Sequence, residues 1–243
     1  MNLATVVRPR DARGVEIKTH DFNGADVILA GDLAALWEEL RVVLTDLRLH
    51  LSPSRERGKV GEPVFDPKAT NKAVKDALGT RAWPTDHKIP KDWQFLGKGV
   101  DYFHSGLLGE AQFSNYPFFL NNIVRSSLLA MAKVKLEGEH TIRVVVVVVK
   151  AHMFPAAQST LYFEQAEKQL AEFYGKLPAG ILDVPVRLVG LFSDFDVNVP
   201  AVWSTYAGPG ARVPQTQKDV ACVLSRGPRA NSAITITIKN QPV

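Results

Sequence analysis

The sequence predicts an α/β protein with a mixed central β-sheet flanked by helices and an additional C-terminal region of strand and loop. Three observations indicate this class. The aliphatic run Val144–Val149 is typical of a strand buried on both faces. A hairpin, a helix, this strand, a second helix and a further strand follow one another between residues 99 and 192. The segment Ala233–Lys239 alternates isoleucine with threonine, as a last strand would.

The first half of the chain contains one clear amphipathic pattern. Residues 1–24 mix charges and glycine, and we expect an arm or short edge elements there. Asp32 is a candidate N-cap for a helix that packs on the sheet. Its apolar residues recur at helical spacing: Leu33, Leu36, Trp37, Leu40, Val43, Leu44 and Leu47.

The segments that follow alternate between loops and regular elements. Residues 52–68 are polar and are predicted to form a loop. Asn71–Leu78 is predicted to be a helix that ends at Gly79, and residues 83–92 are expected to be irregular. The later elements are predicted to be a helix from Phe118 to Val134, a strand at Thr141–Lys150, a helix at Thr160–Lys176, a strand at Val184–Phe192, and a long loop or subdomain over residues 204–230.

Composition limits the class of protein. With 243 residues, 46% of them hydrophobic, the chain suits a single domain with its core at about residues 25–200 and a loop-rich C-terminal subdomain at 204–243. A formal charge of +4 permits a nucleic-acid partner without requiring one. The single cysteine excludes an intramolecular disulfide and fits the cytoplasm. No apolar stretch predicts a signal peptide or a membrane span.

A predicted hairpin over residues 99–113 brings together polar side chains that are candidates for catalysis and metal binding. If Ser105 and Gly106 form a two-residue loop, Asp101 lies opposite Glu110, at roughly 4.5–5.5 Å between Cβ atoms. Gln112 points to the same face as Glu110 because strand side chains alternate. Two carboxylates repel each other unless a positive charge lies between them, and such a cluster suits Mg²⁺. The same spacing also occurs on a solvated polar strand face.

The segment E-A-Q-F-S-N-Y-P-F-F-L-N-N, with Asp101 nine residues before its Glu110, resembles the BglII-like family of type II restriction endonucleases. The wider relatives of that family include BamHI and BstYI, within the superfamily whose motif is Asp, a gap and Glu-x-Lys. Gln112 stands at the lysine position, as in BglII. The resemblance extends over roughly residues 22–207 and implies a restriction-endonuclease-like core. Further similar segments lie at residues 60–67, 89–97, 152–156, 161–166 and 183–191.

The resemblance implies a set of catalytic and metal-binding residues. Asp101, Glu110 and the backbone carbonyl of Ala111 would bind the metal ion. Gln112 would be catalytic, but its carboxamide carries no ionisable proton and can only orient water or phosphate. Asp86 stands where this family has a further active-site polar residue, which is asparagine in BglII. An extra carboxylate there could hold a metal or a water, or it could be a loop cap.

The resemblance also implies residues that contact DNA. Ser114 and Asn115 correspond to a pair near the central base pairs, and asparagine can pair with adenine. Gln158 and Ser159 correspond to an Asn-Ser pair that reads outer base pairs, and Gln158 keeps the amide group on a longer side chain. Arg212 falls in a loop that contacts bases in the family, although a loop arginine on phosphate or in solvent is the simpler interpretation.

The resulting hypothesis is a site-specific endonuclease that hydrolyses double-stranded DNA with Mg²⁺ and leaves 5′-phosphate ends. A homodimer acting on a palindrome would cut both strands, because two-fold protein symmetry matches a two-fold site. The resemblance implies a GATC-centred site and a cognate DNA methyltransferase that acts on it without needing to bind the enzyme. Two alternatives stay open: a repair or junction nuclease on the same core, and a DNA-binding module without catalysis.

Overall fold

A computed structural model describes residues 15–113, 117–156, 161–178, 180–208, 210–227 and 233–239. Its helices are α1 Ala25–Ala30, α2 Ala34–Thr45, α3 Pro67–Gly79, α4 Pro117–Met131 and α5 Phe163–Lys176, with a 3-10 helix at Lys91–Leu96. Its strands are β1 Glu16–Phe22, β2 Leu49–Pro53, β3 Pro63–Phe65, β4 Thr85–Lys88, β5 Gly99–His104, β6 Leu107–Ala111, β7 Lys135–Glu137, β8 His140–Thr141, β9 Val144–Lys150, β10 Val186–Phe192, β11 Val199–Thr205, β12 Thr216–Arg226 and β13 Ile234–Lys239.

The main sheet is mixed, as the sequence predicts, with the strand order β1-β10-β9-β6-β5-β4. Strands β6, β9 and β10 run parallel, and β1, β5 and β4 are antiparallel to their neighbours. Every residue of β9 is buried, which confirms the prediction from its aliphatic run. Alternate valines of β9 belong to two different apolar clusters, one with residues of α1, α2 and α3 and the other with residues of α4 and α5. The sheet is therefore flanked by helices on both faces.

A second sheet, in the order β13-β12-β11-β2-β3, joins the C-terminal strands to the N-terminal half of the chain. Of the two alternatives predicted for residues 204–230, a long loop or a subdomain, the loop is wrong for Thr216–Arg226, which forms a strand of 11 residues. The first four residues of this strand are exposed and polar, so they show no apolar alternation. The predicted loop over residues 52–68 is likewise interrupted by β3, at the edge of this sheet.

The start of each of two helices differs from the prediction. Asp32 does not cap α2; its carboxylate accepts a hydrogen bond from Arg143 at 2.7 Å. Helix α3 begins four residues earlier than expected, because Asp66 caps it and a proline occupies its first turn. The Oδ1 atom of Asp66 accepts hydrogen bonds from the backbone N–H groups of Lys68 and Ala69, both at 3.0 Å.

The apolar residues expected on α2 do face the core, with Leu40 and Leu44 fully buried. Within the described ranges, no helix combines the length and the apolar character that a membrane span requires.

A large–small pair fixes the packing of the hairpin formed by β5 and β6. Tyr102 lies opposite Gly109 and is fully buried. A Cβ atom placed on Gly109 would lie 1.6 Å from Cε2 of Tyr102, a distance that no contact permits. The ring therefore occupies the space that any other residue at position 109 would need.

Replacing Gly109 with alanine should destabilise the protein by about 3 kcal/mol, because the buried Tyr102 ring occupies the position of the new methyl group. The measurement is the free energy of unfolding in urea. Gly175→Ala is the matched control, since Gly175 lies in α5 with open space around its Cβ position. That control should be neutral or stabilising by up to about 1 kcal/mol. Equal effects of the two substitutions would contradict the packing argument.

Candidate active site

The hairpin turn has the geometry that the sequence predicts. Ser105 and Gly106 both have positive φ, 46° and 100°, as the central residues of a two-residue type I′ turn require. The strand register pairs His104 with Leu107 and Tyr102 with Gly109. Continuing this register by one residue places Asp101 opposite Glu110, as predicted.

Asp101 and Glu110 line one cavity of about 350 Å³. The Oδ2 atom of Asp101 accepts a hydrogen bond from the backbone N–H of Ala111 at 2.9 Å, which ties it across the hairpin to the strand that carries Glu110. Asn122 and Arg125 of α4 complete the wall of the cavity on the helix side. The two carboxylates therefore face the same space.

Glu110 is almost completely buried, with 5% of its surface exposed, and forms an ion pair with Arg125. Burial raises the pKa of the Glu110 carboxyl to about 7, although the Arg125 guanidinium opposes this and the Asp101 carboxylate reinforces it. Tyr102 lies between the acidic residues in sequence and is buried as well. Burial, with a further contribution from Asp101 and Glu110, raises the pKa of its hydroxyl well above the usual value.

Lys75 of α3 supplies a second positive charge. Its Nζ atom lies 2.9 Å from Oδ1 of Asp101 and 2.5 Å from Oδ1 of Asp86. Burial alone would lower the pKa of Lys75, but its hydrogen bonds and attraction to the two carboxylates raise it above the ordinary value. The acidic site is thus balanced by one cation from α3 and one from α4.

The carboxamide of Gln112 is held by α4 rather than pointing freely into solvent. Its Oε1 atom accepts a hydrogen bond from Nδ2 of Asn122 at 2.8 Å, and its backbone N–H donates to the carbonyl of Val148 at 2.8 Å. Gln112 is 8% exposed. A fixed amide of this kind can orient a neighbouring group by hydrogen bonding but cannot exchange a proton.

Asp86 lies on β4 at the edge of the sheet, with φ of 52° and a side chain that is 75% exposed. It lines the same cavity as Asp101 and Glu110. The structure therefore brings this residue to the candidate site, held there by Lys75. Its catalytic role stays a prediction.

The donor set fits a hard divalent ion with few protein ligands. Within the part of the chain that the structure describes, no group of three or more His, Cys, Asp or Glu side chains could hold a metal ion. Asp86, Asp101 and Glu110 line the cavity, and each contacts a cationic side chain; Asp101 and Glu110 are the two less exposed carboxylates. Mg²⁺ commonly uses one or two carboxylates and fills its remaining positions with water and phosphate. The residues present therefore suit Mg²⁺ better than a metal that needs a closed protein cage.

Of the five predicted DNA-contacting residues, Ser114, Asn115, Gln158 and Ser159 lie outside the described residues. Arg212 is described, and its side chain is exposed. It lines a groove of about 830 Å³ that also contains Lys75 and Asp86 and therefore adjoins the acidic cavity.

The segment that carries Arg212 is fastened to the start of α3. The Nζ atom of Lys68 donates a hydrogen bond to the carbonyl of Ala211 at 2.8 Å. The hydroxyl of Tyr206 donates to Oδ2 of Asp66, the cap of α3, at 2.7 Å. Helix α3 therefore holds both Lys75 in the site and Arg212 beside it.

Sequence reasoning did not place Lys75, Asn122 or Arg125 beside the acidic residues. The positions of Asn122 and Arg125 could have been inferred, because they are three residues apart on the helix that follows β6 and so share one face of it. The position of Lys75 could not, because its contact with Asp101 spans 26 positions between different elements.

We expect Arg125→Met to lower the free energy of unfolding by about 2–4 kcal/mol, because it leaves the Glu110 carboxylate buried without its partner. In the Glu110→Gln/Arg125→Met double variant the loss should be smaller than the sum of the single losses, by about 2 kcal/mol. Urea denaturation measures all three. Lys135→Met is the control, since the Lys135–Glu139 pair is exposed and should contribute less than about 0.5 kcal/mol. Strict additivity of the single changes would contradict the buried pair.

The chain is similar to known restriction endonucleases. Residues 17–191 match the family model described as restriction endonuclease BglII/BglIII. The chain is 41% identical over 196 residues to the type II restriction enzyme BglII of Bacillus subtilis, an alignment that covers 79% of this chain and 83% of that protein.

Two solved structures are also similar to this chain. One is the restriction endonuclease BglII complexed with a DNA 16-mer, with a TM-score of 0.85 and 37% identity. The other is free BglII, with a TM-score of 0.70 and 35% identity. In both, 92% of this chain and 100% of that chain are covered. The chain belongs to the BglII/BglIII family of restriction endonucleases.

Proposed function

We propose that this restriction endonuclease uses Mg²⁺ to cut both strands of double-stranded DNA within a short palindrome. The observation that carries the proposal is the hairpin that directs Asp101 and Glu110 into one cavity. The similar protein from Bacillus subtilis is a type II restriction enzyme, and one of the similar solved structures is a complex with DNA. Both support the same substrate for this chain.

The metal would be held by the carboxylates of Asp101 and Glu110 and by the backbone carbonyl of Ala111. When bound, Mg²⁺ lowers the pKa of a coordinated water and stabilises the negative charge that develops on the phosphate. Asp101 is prepared for this role because the N–H of Ala111 fixes its orientation. For Glu110, the ion pair with Arg125 offsets part of the cost of a negative charge in a buried position.

Gln112 would orient the attacking water or the scissile phosphate. It is anchored by Asn122, and it offers hydrogen bonds without a titratable proton. Asp86, which faces the same cavity, would hold a further water or contribute to metal binding. The absence of a lysine at position 112 makes the site depend on its metal for activation of the water and for stabilisation of the leaving group.

The reaction is hydrolysis at phosphorus: water attacks, the bond to the 3′ oxygen breaks, and the products are 5′-phosphate and 3′-hydroxyl ends. Phosphates beside the scissile bond would meet the exposed cations Lys88 and Lys98 at the rim of the cavity, and Arg212 in the adjoining groove.

Base edges would be read by Ser114, Asn115, Gln158 and Ser159. The resemblance to the family implies a recognition site with GATC at its centre. A cognate methyltransferase would protect the same sequence in the host cytoplasm.

Plasmid and genomic DNA incubated with the protein and Mg²⁺ should give discrete fragments whose mapped ends share one palindrome. Asp101→Ala should lower the cleavage rate by at least about 10³-fold while binding to the same sequence, measured by gel shift, survives. Asp92→Ala is the control, since Asp92 is an exposed carboxylate of the 3-10 helix. Cleavage by Asp101→Ala at the wild-type rate would overturn the assignment, and cutting only at branched or mismatched DNA would favour a repair nuclease.

We further expect the protein to act as a homodimer, because a two-fold site is matched by a two-fold protein. Sedimentation velocity should show a particle of twice the chain mass. A mixed dimer of one wild-type and one Asp101→Ala subunit should convert a supercoiled single-site plasmid to nicked circles, whereas the wild type gives linear DNA. Linear product from the mixed dimer, or a monomer that stays active at nanomolar concentration, would argue against this assembly.

A further inference from the structure

Lys75 connects two of the three acidic residues of the site. Its ammonium group contacts Oδ1 of Asp86 and Oδ1 of Asp101 at once, at 2.5 and 2.9 Å. Only 17% of its side chain is exposed. Lys75 lies on α3, outside the hairpin that carries Asp101. The position of the ammonium group therefore depends on how α3 packs.

Helix α3 is firmly placed. Asp66 caps its first turn, and Val74 and Leu78, which flank Lys75 on the helix, are fully buried. Val74 and Leu78 belong to the same apolar cluster as Tyr102, the neighbour of Asp101 in β5. Because the backbone of α3 is fixed, only the rotamers of the Lys75 side chain are left to be ordered by its contacts with the carboxylates.

Both oxygens of Asp101 are engaged in the structure. Oδ2 accepts from the backbone N–H of Ala111, and Oδ1 contacts the ammonium of Lys75. A divalent ion on Asp101 would therefore bind the carboxylate that already carries a positive partner. Like charges within a few ångströms repel each other, and the repulsion is stronger in a partly buried site than in water.

We propose that Lys75 is the counter-ion of the metal-free site, and that a divalent ion binds Asp101 in competition with its ammonium group. The proposal rests on the proposed function, in which Asp101 and Glu110 bind that ion. Lys75 is a positioning residue in this scheme: it holds Asp86 and Asp101 together until the metal replaces it. The groove that Lys75 lines has about 830 Å³ of space into which the side chain can move.

The test titrates Mg²⁺ alone into the DNA-free full-length protein by isothermal calorimetry. Lys75→Met should bind Mg²⁺ about five- to tenfold more tightly than the wild type, because the competing charge is gone. Lys75→Arg keeps the charge and should stay closer to the wild type. Lys72→Met is the matched control: it removes one positive charge from the same helix, but Lys72 pairs with Asp76 at the exposed surface. Its effect should be below about twofold.

The direction of the change separates competition from a purely structural role. If Lys75 only supports the hairpin, its removal misplaces Asp101, and Mg²⁺ binds more weakly or equally well; either result overturns the inference.

A second measurement is the unfolding midpoint in EDTA and in Mg²⁺. Lys75→Met should be less stable than the wild type in EDTA and should gain more from Mg²⁺. Should that variant not fold, Lys75→Gln must show the same sign.

The controls distinguish this inference from the proposed function. Wild-type Mg²⁺ binding that Asp101→Ala removes supports the metal site, and tighter binding by Lys75→Met then supports the competition. Wild-type binding that depends on Asp101, without tightening in Lys75→Met, overturns the inference alone. Binding that is unaffected by Asp101→Ala overturns the metal site and the inference together.

Discussion

The central constraint in this protein is the electrostatic repulsion between carboxylates brought together on one side of a hairpin. Asp101 and Glu110 face the same cavity, and Glu110 is almost completely buried. Such a pair is unfavourable without compensation, because burial strengthens the repulsion and removes hydration. The fold compensates with Lys75 from one side and Arg125 from the other. Helices α3 and α4 therefore supply the positive charges that the acidic groups of β5 and β6 require.

The rest of the core supports this placement. Strand β6 lies between β5 and the fully buried β9, and Glu110 itself pairs with Val147 of β9. The Tyr102 ring fills the space over Gly109, which fixes the two hairpin strands side by side just beyond the acidic pair. Apolar packing thus determines where the acidic groups lie. These groups in turn require cationic side chains on α3 and α4.

The second sheet connects the site to the segment that carries Arg212. Strand β2 pairs with β11, and the segment after β11 is fastened to the cap and first turn of α3. Because α3 also carries Lys75, the groove beside Arg212 and the acidic cavity share one structural support. Arg212 and Lys75 are in this way positioned by the same helix, although they are distant in sequence.

The sequence by itself determined the features that depend on near neighbours. The two-residue turn, the register that sets Asp101 against Glu110, the buried strand β9 and the alternating strand β13 all follow from local patterns. The family followed from ordered similar segments along most of the chain.

Tertiary structure alone decided which cations meet the acids, that Asp32 binds Arg143 instead of capping a helix, and that residues 216–226 pair as a strand. These features join residues far apart in the chain, and their energies arise only once the elements pack. These long-range contacts therefore could not be predicted from local propensity and residue spacing.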